Sequence, residues 1–173
     1  NFTLNGYYNH ITNNIATGAP YLVKPTDPIP HLSYINLAAH SVVGMEAAVQ
    51  GHWRNGLSAR LAYTLTAENL PRNKAGERMS AQYIPARKHS LMVHADWEHR
   101  FHKNFGMTLG IDGRYLSGVT NPEYIDYYDI SKGMRDIEYP GYTLWKLSVS
   151  GQFKKGVKVT LALDNLFNYR PKY

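Results

Sequence analysis

The chain has 173 residues, a net charge of +6 and no cysteine, so one domain is expected and disulfides and thiolate metal sites are excluded. No run of about 18 apolar residues is present, which excludes a transmembrane helix but leaves room for a β-barrel, whose strands need only about 9–11 alternating residues. Lysines and arginines are scattered rather than clustered, which argues against nucleic-acid binding.

Seven segments with a period of two follow one another and predict an all-β protein. Each places apolar side chains on one face and polar ones on the other. Fourteen tyrosines raise the aromatic content to 13%, which also favours strands. In chain order the segments cover 2–11, 43–53, 57–67, 89–99, 107–117, 143–153 and the beginning of VTLALDNLFN at 159–168.

The connections between these segments alternate between short and long. RNG, FHKNFG and KKGVK form three short joins with Gly or Asn where a tight hairpin needs them. The long joins cover roughly 13–41, 68–88 and 118–142. Short periplasmic turns alternating with long extracellular loops are typical of outer-membrane barrels. The pattern therefore predicts an antiparallel transmembrane β-barrel segment of about seven strands.

The apolar stripes are predicted to face lipid, because a transmembrane barrel turns its apolar side chains outward and its polar ones into the lumen. The predicted lipid-facing residues are Leu61, Leu91, Val93, Leu109, Leu147, Val149, Val159 and Leu161. Aromatic residues form two levels that are similar to interfacial girdles. One level lies near the short turns (Phe2, Trp53, Trp97 and Phe153) and the other near the long loops (Tyr8, Tyr63 and Tyr115). A soluble β-sandwich has the same alternation and stays an alternative.

Several stretches resemble TonB-dependent outer-membrane receptors. GMEAAVQGHWRNGLSARLAYTLTAE is similar to a strand, turn and strand near the C-terminal end of that family, and YIPARKHSLMV to its entry into the next strand. LNGYYNHITNNI, GRYLSG and LALDNLFNYRPKY resemble further family segments, in the family's order and spacing. The resemblance covers nearly the whole chain, least in the long loops.

The resemblance implies a role for Asp164, Asn165, Leu166 and Phe167, which match the family's box at the outer end of its second-last strand. Asp164 would face the lumen, and Asn165 would begin the turn into the last external loop. Counted back from the end of a barrel of about 22 strands, the segments would be strands fifteen to twenty-one. Residues 1–173 would then be the C-terminal portion of the barrel, truncated at both ends and without its plug, its remaining strands and its closing strand.

The resemblance also implies a bacterial outer-membrane location and active uptake of a scarce, large nutrient such as a metal chelate, haem or cobalamin. The implied partners are outer-membrane lipid and lipopolysaccharide, the rest of the barrel and its plug, TonB through that plug, and a surface lipoprotein. No cofactor and no enzymatic activity are expected. The main alternative is a passive pore or small adhesin-type barrel, and a soluble binding module is the weaker one.

Histidine clusters offer other chemistry, but none has the spacing of a catalytic or metal site. His94 and Asp96 share the lumen face, with His52 expected nearby. Ser90 lies about 13 Å from His94 along the strand, too far to act as its nucleophile. The pair is therefore predicted to line the lumen. Four more histidines lie in or near the long loops, where they could contact a ligand such as haem: His10, His31, His40 and His89.

The last long loop, TNPEYIDYYDISKGMRDIEYP, is rich in tyrosines and carboxylates. Its carboxylates are Glu123, Asp126, Asp129, Asp136 and Glu138. They are predicted to be solvated rather than to bind Ca²⁺, because their spacing is not that of an EF-hand. Tyrosine supplies rigid contact area with a polar tip, and arginines in other loops supply charge for an anionic ligand or for lipopolysaccharide. The predicted ligand-binding residues are Tyr124, Tyr127, Tyr128, Arg78 and Arg87.

Overall fold

Seven long antiparallel strands form one continuous sheet in the computed structural model. The structure describes residues 1–13, 15–18, 20–24, 26–36, 39–69, 85–126, 128–154 and 156–171. In chain order the strands are β1 (Phe2–Ile11), β2 (Ile15–Thr17), β3 (Tyr34–Asn36), β4 (His40–His52), β5 (Leu57–Asn69), β6 (His89–His102), β7 (Phe105–Leu116), β8 (Val119–Tyr124), β9 (Met134–Tyr139), β10 (Tyr142–Phe153) and β11 (Lys158–Leu163). The large sheet has the order β1-β4-β5-β6-β7-β10-β11, which confirms the predicted seven-stranded antiparallel segment. Within the described residues, no helix is long and apolar enough to cross a membrane.

Two small hairpins, which the sequence pattern did not predict, lie in the long connections. β2 pairs with β3 in the first long loop, and β8 pairs with β9 in the last one. A single 3-10 turn at Ile130–Lys132 lies between β8 and β9. Pro122 lies within β8, which is compatible with a two-stranded hairpin because both of its strands have a free edge.

Most strands of the large sheet begin earlier or end later than predicted. β6 continues to His102 and β7 already begins at Phe105, so only Lys103 and Asn104 turn where FHKNFG was predicted to connect the strands. β11, by contrast, is short and ends at Leu163, before Asp164 and Asn165. Backbone pairing between neighbouring strands extends past the residues with clean alternation, because the ladder of hydrogen bonds does not depend on side-chain polarity.

The pairing register collects all seven apolar stripes on one face of the sheet. One row of register partners runs across five strands and is apolar throughout: Leu57, Trp97, Leu109, Val149 and Leu161. A row on the opposite face is polar throughout: Gln50, Arg60, His94, Asp112 and Lys146. The sheet therefore has one apolar and one polar face, and the eight residues predicted to face lipid all lie on the apolar one.

Large side chains on the apolar face are open to the surroundings. Leu161 is 73% exposed, Phe2 68% and Val159 53%. A soluble sandwich would cover this face with a second sheet, but the strands outside the large sheet in the described part of the chain form only the two small hairpins. A continuous exposed apolar face is what a membrane-spanning barrel presents to lipid.

Spin labels should distinguish the two faces in the intact protein. We expect labels at Leu109 and Val149 to collide with lipid-soluble oxygen, and labels at the neighbouring Thr108 and Ser148 to be less accessible to it. Collision rates with oxygen and with an aqueous nickel chelate provide the measurement. Preferential quenching of the Leu109 and Val149 labels by the aqueous reagent would contradict the membrane assignment.

Candidate ligand-binding mouth

The β4–β5, β6–β7 and β10–β11 turns lie at one end of the sheet. The strand ends that the three long connections join (β1–β4, β5–β6 and β7–β10) lie at the opposite end. Antiparallel pairing makes this sorting unavoidable, because consecutive strands run in opposite directions. We refer to the end with the long loops as the mouth.

Arg87 holds together several segments at the mouth. Its Nη1 donates to the backbone carbonyl oxygen of Ser117 and, at 3.3 Å, to that of Pro140. The guanidinium carbon lies 5.1 Å from the centroid of the Tyr142 ring, which stacks on Tyr169 at 4.7 Å with an interplanar angle of 12°. Arg87 is thus a half-buried cation that connects the entry to β6 with the end of β7 and the start of β10.

An open cavity of about 440 Å³ adjoins this stack. Its lining is aromatic and apolar apart from the guanidinium: Arg87, Tyr139, Pro140, Tyr142, Leu144, Tyr169 and Pro171. Leu144 pairs in register with Arg114, and Tyr142 pairs with Leu116, so the cavity lies at the outer end of the polar face. An aromatic surface with one cation suits a large planar or apolar group that carries negative charge.

Tyr128 lies in a different part of the mouth. It lines a cavity of about 280 Å³ together with Pro20, Tyr21, Leu22 and Pro30 of the first long loop and Asp129 and Ser131 of the last one. The Tyr128 side chain is 66% exposed, whereas Tyr124 is half-buried at the end of β8 opposite Met134. The first and last long loops therefore meet around Tyr128.

Three of the five carboxylates of the last loop have partners within that loop: Glu123, Asp126 and Asp129. Lys132 Nζ lies 2.6 Å from Asp126 Oδ2 and 3.8 Å from Asp129 Oδ2. The hydrogen bond from Lys132 lowers the pKa of Asp126, and the same contact raises the pKa of Lys132. Tyr139 donates its hydroxyl to Glu123, and this bond raises the pKa of the Tyr139 hydroxyl. Lysine and tyrosine thus occupy carboxylate oxygens that a cation would need.

A network of hydrogen bonds crosses the polar face of the sheet, below the mouth. His94 Nδ1 lies 2.7 Å from Asp112 Oδ1, and His94 Nε2 lies 2.8 Å from Asp96 Oδ1. Ser58 donates to the other oxygen of Asp96 at 2.6 Å. Ser58 bonds to the carboxylate of Asp96 and not to the imidazole of His94. These residues therefore do not form a catalytic triad, in which the serine nucleophile bonds to the histidine base and the acid orients that histidine. The predicted proximity of His52 is confirmed, since it pairs in register with Ser58.

Three of the four histidines predicted to lie in or near the long loops are in separate environments. His10 Nδ1 lies 3.0 Å from Ser41 Oγ, His89 Nδ1 lies 2.7 Å from the Tyr63 hydroxyl, and His31 lies 3.7 Å from Asp27. Across the described residues, no group of three or more His, Asp or Glu side chains is arranged to hold a metal ion.

A family model described as "TonB dependent receptor-like, beta-barrel" matches residues 1–166, which is nearly the whole chain. The chain belongs to the TonB-dependent receptor family. This confirms the family that the sequence motifs resembled, and the family consists of outer-membrane receptors and transporters rather than enzymes. A search of curated proteins found no match.

The residues that resemble the family box lie directly after β11. β11 ends at Leu163, and Asp164 Oδ1 lies 3.4 Å from Lys146 Nζ, a residue of the lumen face. Asn165 has a φ of 53°, accepts the Tyr169 backbone N–H at 2.8 Å and donates to the Tyr169 carbonyl at 3.0 Å. The Leu166 N–H donates to the Trp145 carbonyl at 2.9 Å. The asparagine therefore closes the turn that brings Tyr169 back over Tyr142.

The predicted ligand-binding residues of this TonB-dependent receptor chain do not form one cluster. Arg87 lines the cavity with the tyrosine stack, Tyr128 lines the cavity between the loops, and Tyr124 lies at the tip of β8. Arg78 and Tyr127 lie outside the described residues. Ligand binding by the five stays a prediction. Sequence reasoning missed Tyr142 and Tyr169, which are 27 positions apart. Tyr142 begins β10, whereas Tyr169 lies beyond the end of β11, and no periodic pattern connects them.

Proposed function

We propose that the chain is part of the barrel of a bacterial outer-membrane transporter that actively takes up a scarce, large nutrient such as a metal chelate, haem or cobalamin. The observation that carries the proposal is the combination of a two-faced sheet with a mouth rich in tyrosines. The apolar face suits lipid, the polar face suits a lumen, and the first and last long loops meet where a ligand would enter.

The seven strands constitute the C-terminal portion of a larger barrel in this proposal. β1 and β11 are the outer strands of the sheet, and each has one edge without a neighbour in the described residues. Unpaired backbone groups at membrane depth cost several kcal/mol each, so these edges need further strands. A plug within the lumen would contact the polar face and would bind TonB. A surface lipoprotein would contact the mouth.

An uptake assay of the full-length receptor tests this function. The receptor is produced in a host that lacks its own receptors for iron chelates, haem and cobalamin, with TonB present or deleted. The probes are radiolabelled ferric hydroxamate, ferric catecholate, haemin and cyanocobalamin. We expect concentrative uptake of one probe class that is lost without TonB. Uptake that is insensitive to TonB, together with free passage of small sugars, would instead indicate a passive pore.

Loss of the loop tyrosines should weaken ligand capture. We expect simultaneous replacement of Tyr124, Tyr127 and Tyr128 by alanine to lower the affinity for the transported probe by about tenfold or more, because aromatic anchors dominate many interfaces. Tyr34→Ala is the matched control, since Tyr34 is a tyrosine of the first long loop that is 83% exposed. Unchanged affinity in a correctly assembled triple variant would locate recognition elsewhere in the receptor.

A further inference from the structure

Apolar side chains interrupt the polar face of the sheet close to the mouth. Met92, Arg114 and Leu144 are register partners on β6, β7 and β10, and each lies two residues from a member of the polar row described above, hence on the same face. Leu116 and Tyr142 form the next pair of that face, nearer the mouth. Met92 is 55% exposed and Leu144 37%. Polar contacts alone do not require such side chains, so this patch is suited to an apolar group.

Arg114 is a cation within this apolar patch. It is exposed, and its register partners on either side are Met92 and Leu144. It forms no salt bridge with any residue that the structure describes. Asp112, two residues away on the same strand, is its acidic neighbour, and this carboxylate bonds to His94 Nδ1 at 2.7 Å. The guanidinium of Arg114 therefore keeps hydrogen-bond donors for a ligand that enters the lumen.

The patch continues into the cavity beside the tyrosine stack, because Leu144 belongs to both. The volume of this cavity, about 440 Å³, lies within the roughly 300–1,000 Å³ of small-molecule sites. Among the described residues that line it, Arg87 is the cation and none is acidic. Tyr142 and Tyr169 supply the stacked rings. Cavity and patch together thus present aromatic rings, aliphatic side chains and two arginines on the lumen side of the mouth.

We propose that the surface formed by Arg87, Arg114, Tyr142, Leu144 and Tyr169 binds an anionic ligand that carries aromatic rings, an inference that rests on the proposed uptake function and narrows its substrate class. The rings of the ligand pack against the tyrosine and leucine side chains, and a guanidinium donates charge-assisted hydrogen bonds to its carboxylate or catecholate oxygens. Ferric catecholates and haem have both properties. An uncharged hydroxamate chelate has neither, and electroneutral cobalamin lacks the net charge.

Equilibrium binding to the purified full-length receptor tests the ligand class with probes that separate aromatic rings from charge. A ferric tricatecholate and haemin carry both, ferric citrate carries charge without rings, and an uncharged ferric trihydroxamate carries neither. We expect one of the two aromatic anions to bind at least about tenfold more tightly than ferric citrate or the trihydroxamate. Higher ionic strength should weaken this binding, because salt screens the attraction between the arginines and the anion.

Substitutions in the surface test whether the bound probe lies there. We expect R114Q and Y142L/Y169L each to lower the affinity for that probe by about tenfold, whereas R114K should retain most of it. R114Q should also reduce the dependence of the affinity on ionic strength, which a merely structural role would not change. Both variants must first show normal heat-modifiable mobility. R114Q keeps the test decisive if Y142L/Y169L does not assemble, because Arg114 is exposed and replaces no internal contact.

Two variants serve as matched controls and should leave the affinity unchanged. R60Q removes an arginine of the same polar face that pairs in register with Gln50 and His94, outside the cavity. Y34L removes a tyrosine of the first long loop that is 83% exposed.

The proposal is overturned if neither aromatic anion binds, if ferric citrate or the trihydroxamate binds as tightly, or if R114Q leaves the affinity unchanged. Loss of TonB-dependent uptake in R114Q without loss of binding would assign Arg114 to contact with the plug instead. Failure of the uptake function is distinguishable from failure of this site. TonB-dependent uptake of an uncharged probe leaves the uptake function intact and overturns only the aromatic-anion class. Binding of an aromatic anion without TonB-dependent uptake supports the site and contradicts active transport.

Discussion

Leu147→Arg should lower the stability of the membrane-inserted receptor by about 2–4 kcal/mol, the cost of an arginine at the lipid-facing midplane of a barrel. Leu147 lies in the middle of β10, on the apolar face, with Ile111 and Leu163 as its register partners. Its side chain is 41% exposed, so an arginine there would face lipid in the inserted receptor. We expect reduced folding yield into phospholipid vesicles and a lower urea midpoint.

Ser148→Arg is the matched control, one residue along the same strand. Ser148 faces the lumen, and its register partners are the small residues Gly110 and Ala162. An arginine there can extend into a polar space, so the free energy of unfolding should change by less than about 1 kcal/mol. Equal effects of the two substitutions would contradict the assignment of the faces.

The faces of the sheet could be predicted from sequence because they depend on the alternation of side chains along each strand and not on contacts between residues that are far apart in the sequence. Alternation placed Leu61, Val93 and Leu147 together, and the register confirms it. The family motifs were equally local, and the box at Asp164 and Asn165 closes its turn through a contact only four residues away.

Only part of the polar network could be predicted from the sequence, because a β-bulge determines the register between β6 and β7. His102 pairs with Phe105, whereas Arg100 pairs with Gly106, so the register shifts by one residue between them. Without that shift, a two-residue turn would place His94 opposite Gly113; with it, His94 lies opposite Asp112. The Asp96 contact follows from spacing on one strand, but the Asp112 contact requires the bulge.

The mouth was the least predictable part for a related reason. Arg87 contacts carbonyl oxygens of residues 30 and 53 positions away, and Tyr142 at the start of β10 stacks on Tyr169, which lies beyond the end of β11. Composition identified tyrosine-rich loops but not which rings meet, since long-range contacts leave no periodic signal. Arg87 was predicted from its charge, and its role in holding backbone carbonyls became visible only in the structure.

Gly56→Ala should be among the most damaging small substitutions in the chain. Gly56 has a φ of 85°, and a Cβ atom there would lie 1.9 Å from the backbone carbonyl oxygen of Glu98. The Gly56 carbonyl also accepts the Glu98 N–H at 2.8 Å, so the β4–β5 turn is hydrogen-bonded to β6 and cannot move away without losing that bond. Left-handed strain and the backbone clash together should lower the free energy of unfolding by about 3 kcal/mol or more.

Gly156→Ala isolates the contribution of backbone conformation. Gly156 lies in the β10–β11 turn with a φ of 79°, but among the described residues other than its chain neighbours no atom lies within 4 Å of the position that its Cβ would take. Only the left-handed strain remains, which costs about 1–2 kcal/mol. Urea midpoints and folding yields of the two full-length variants provide the comparison. If Gly56→Ala is no more damaging than Gly156→Ala, the β4–β5 turn does not pack against Glu98, because backbone conformation alone would then account for both losses.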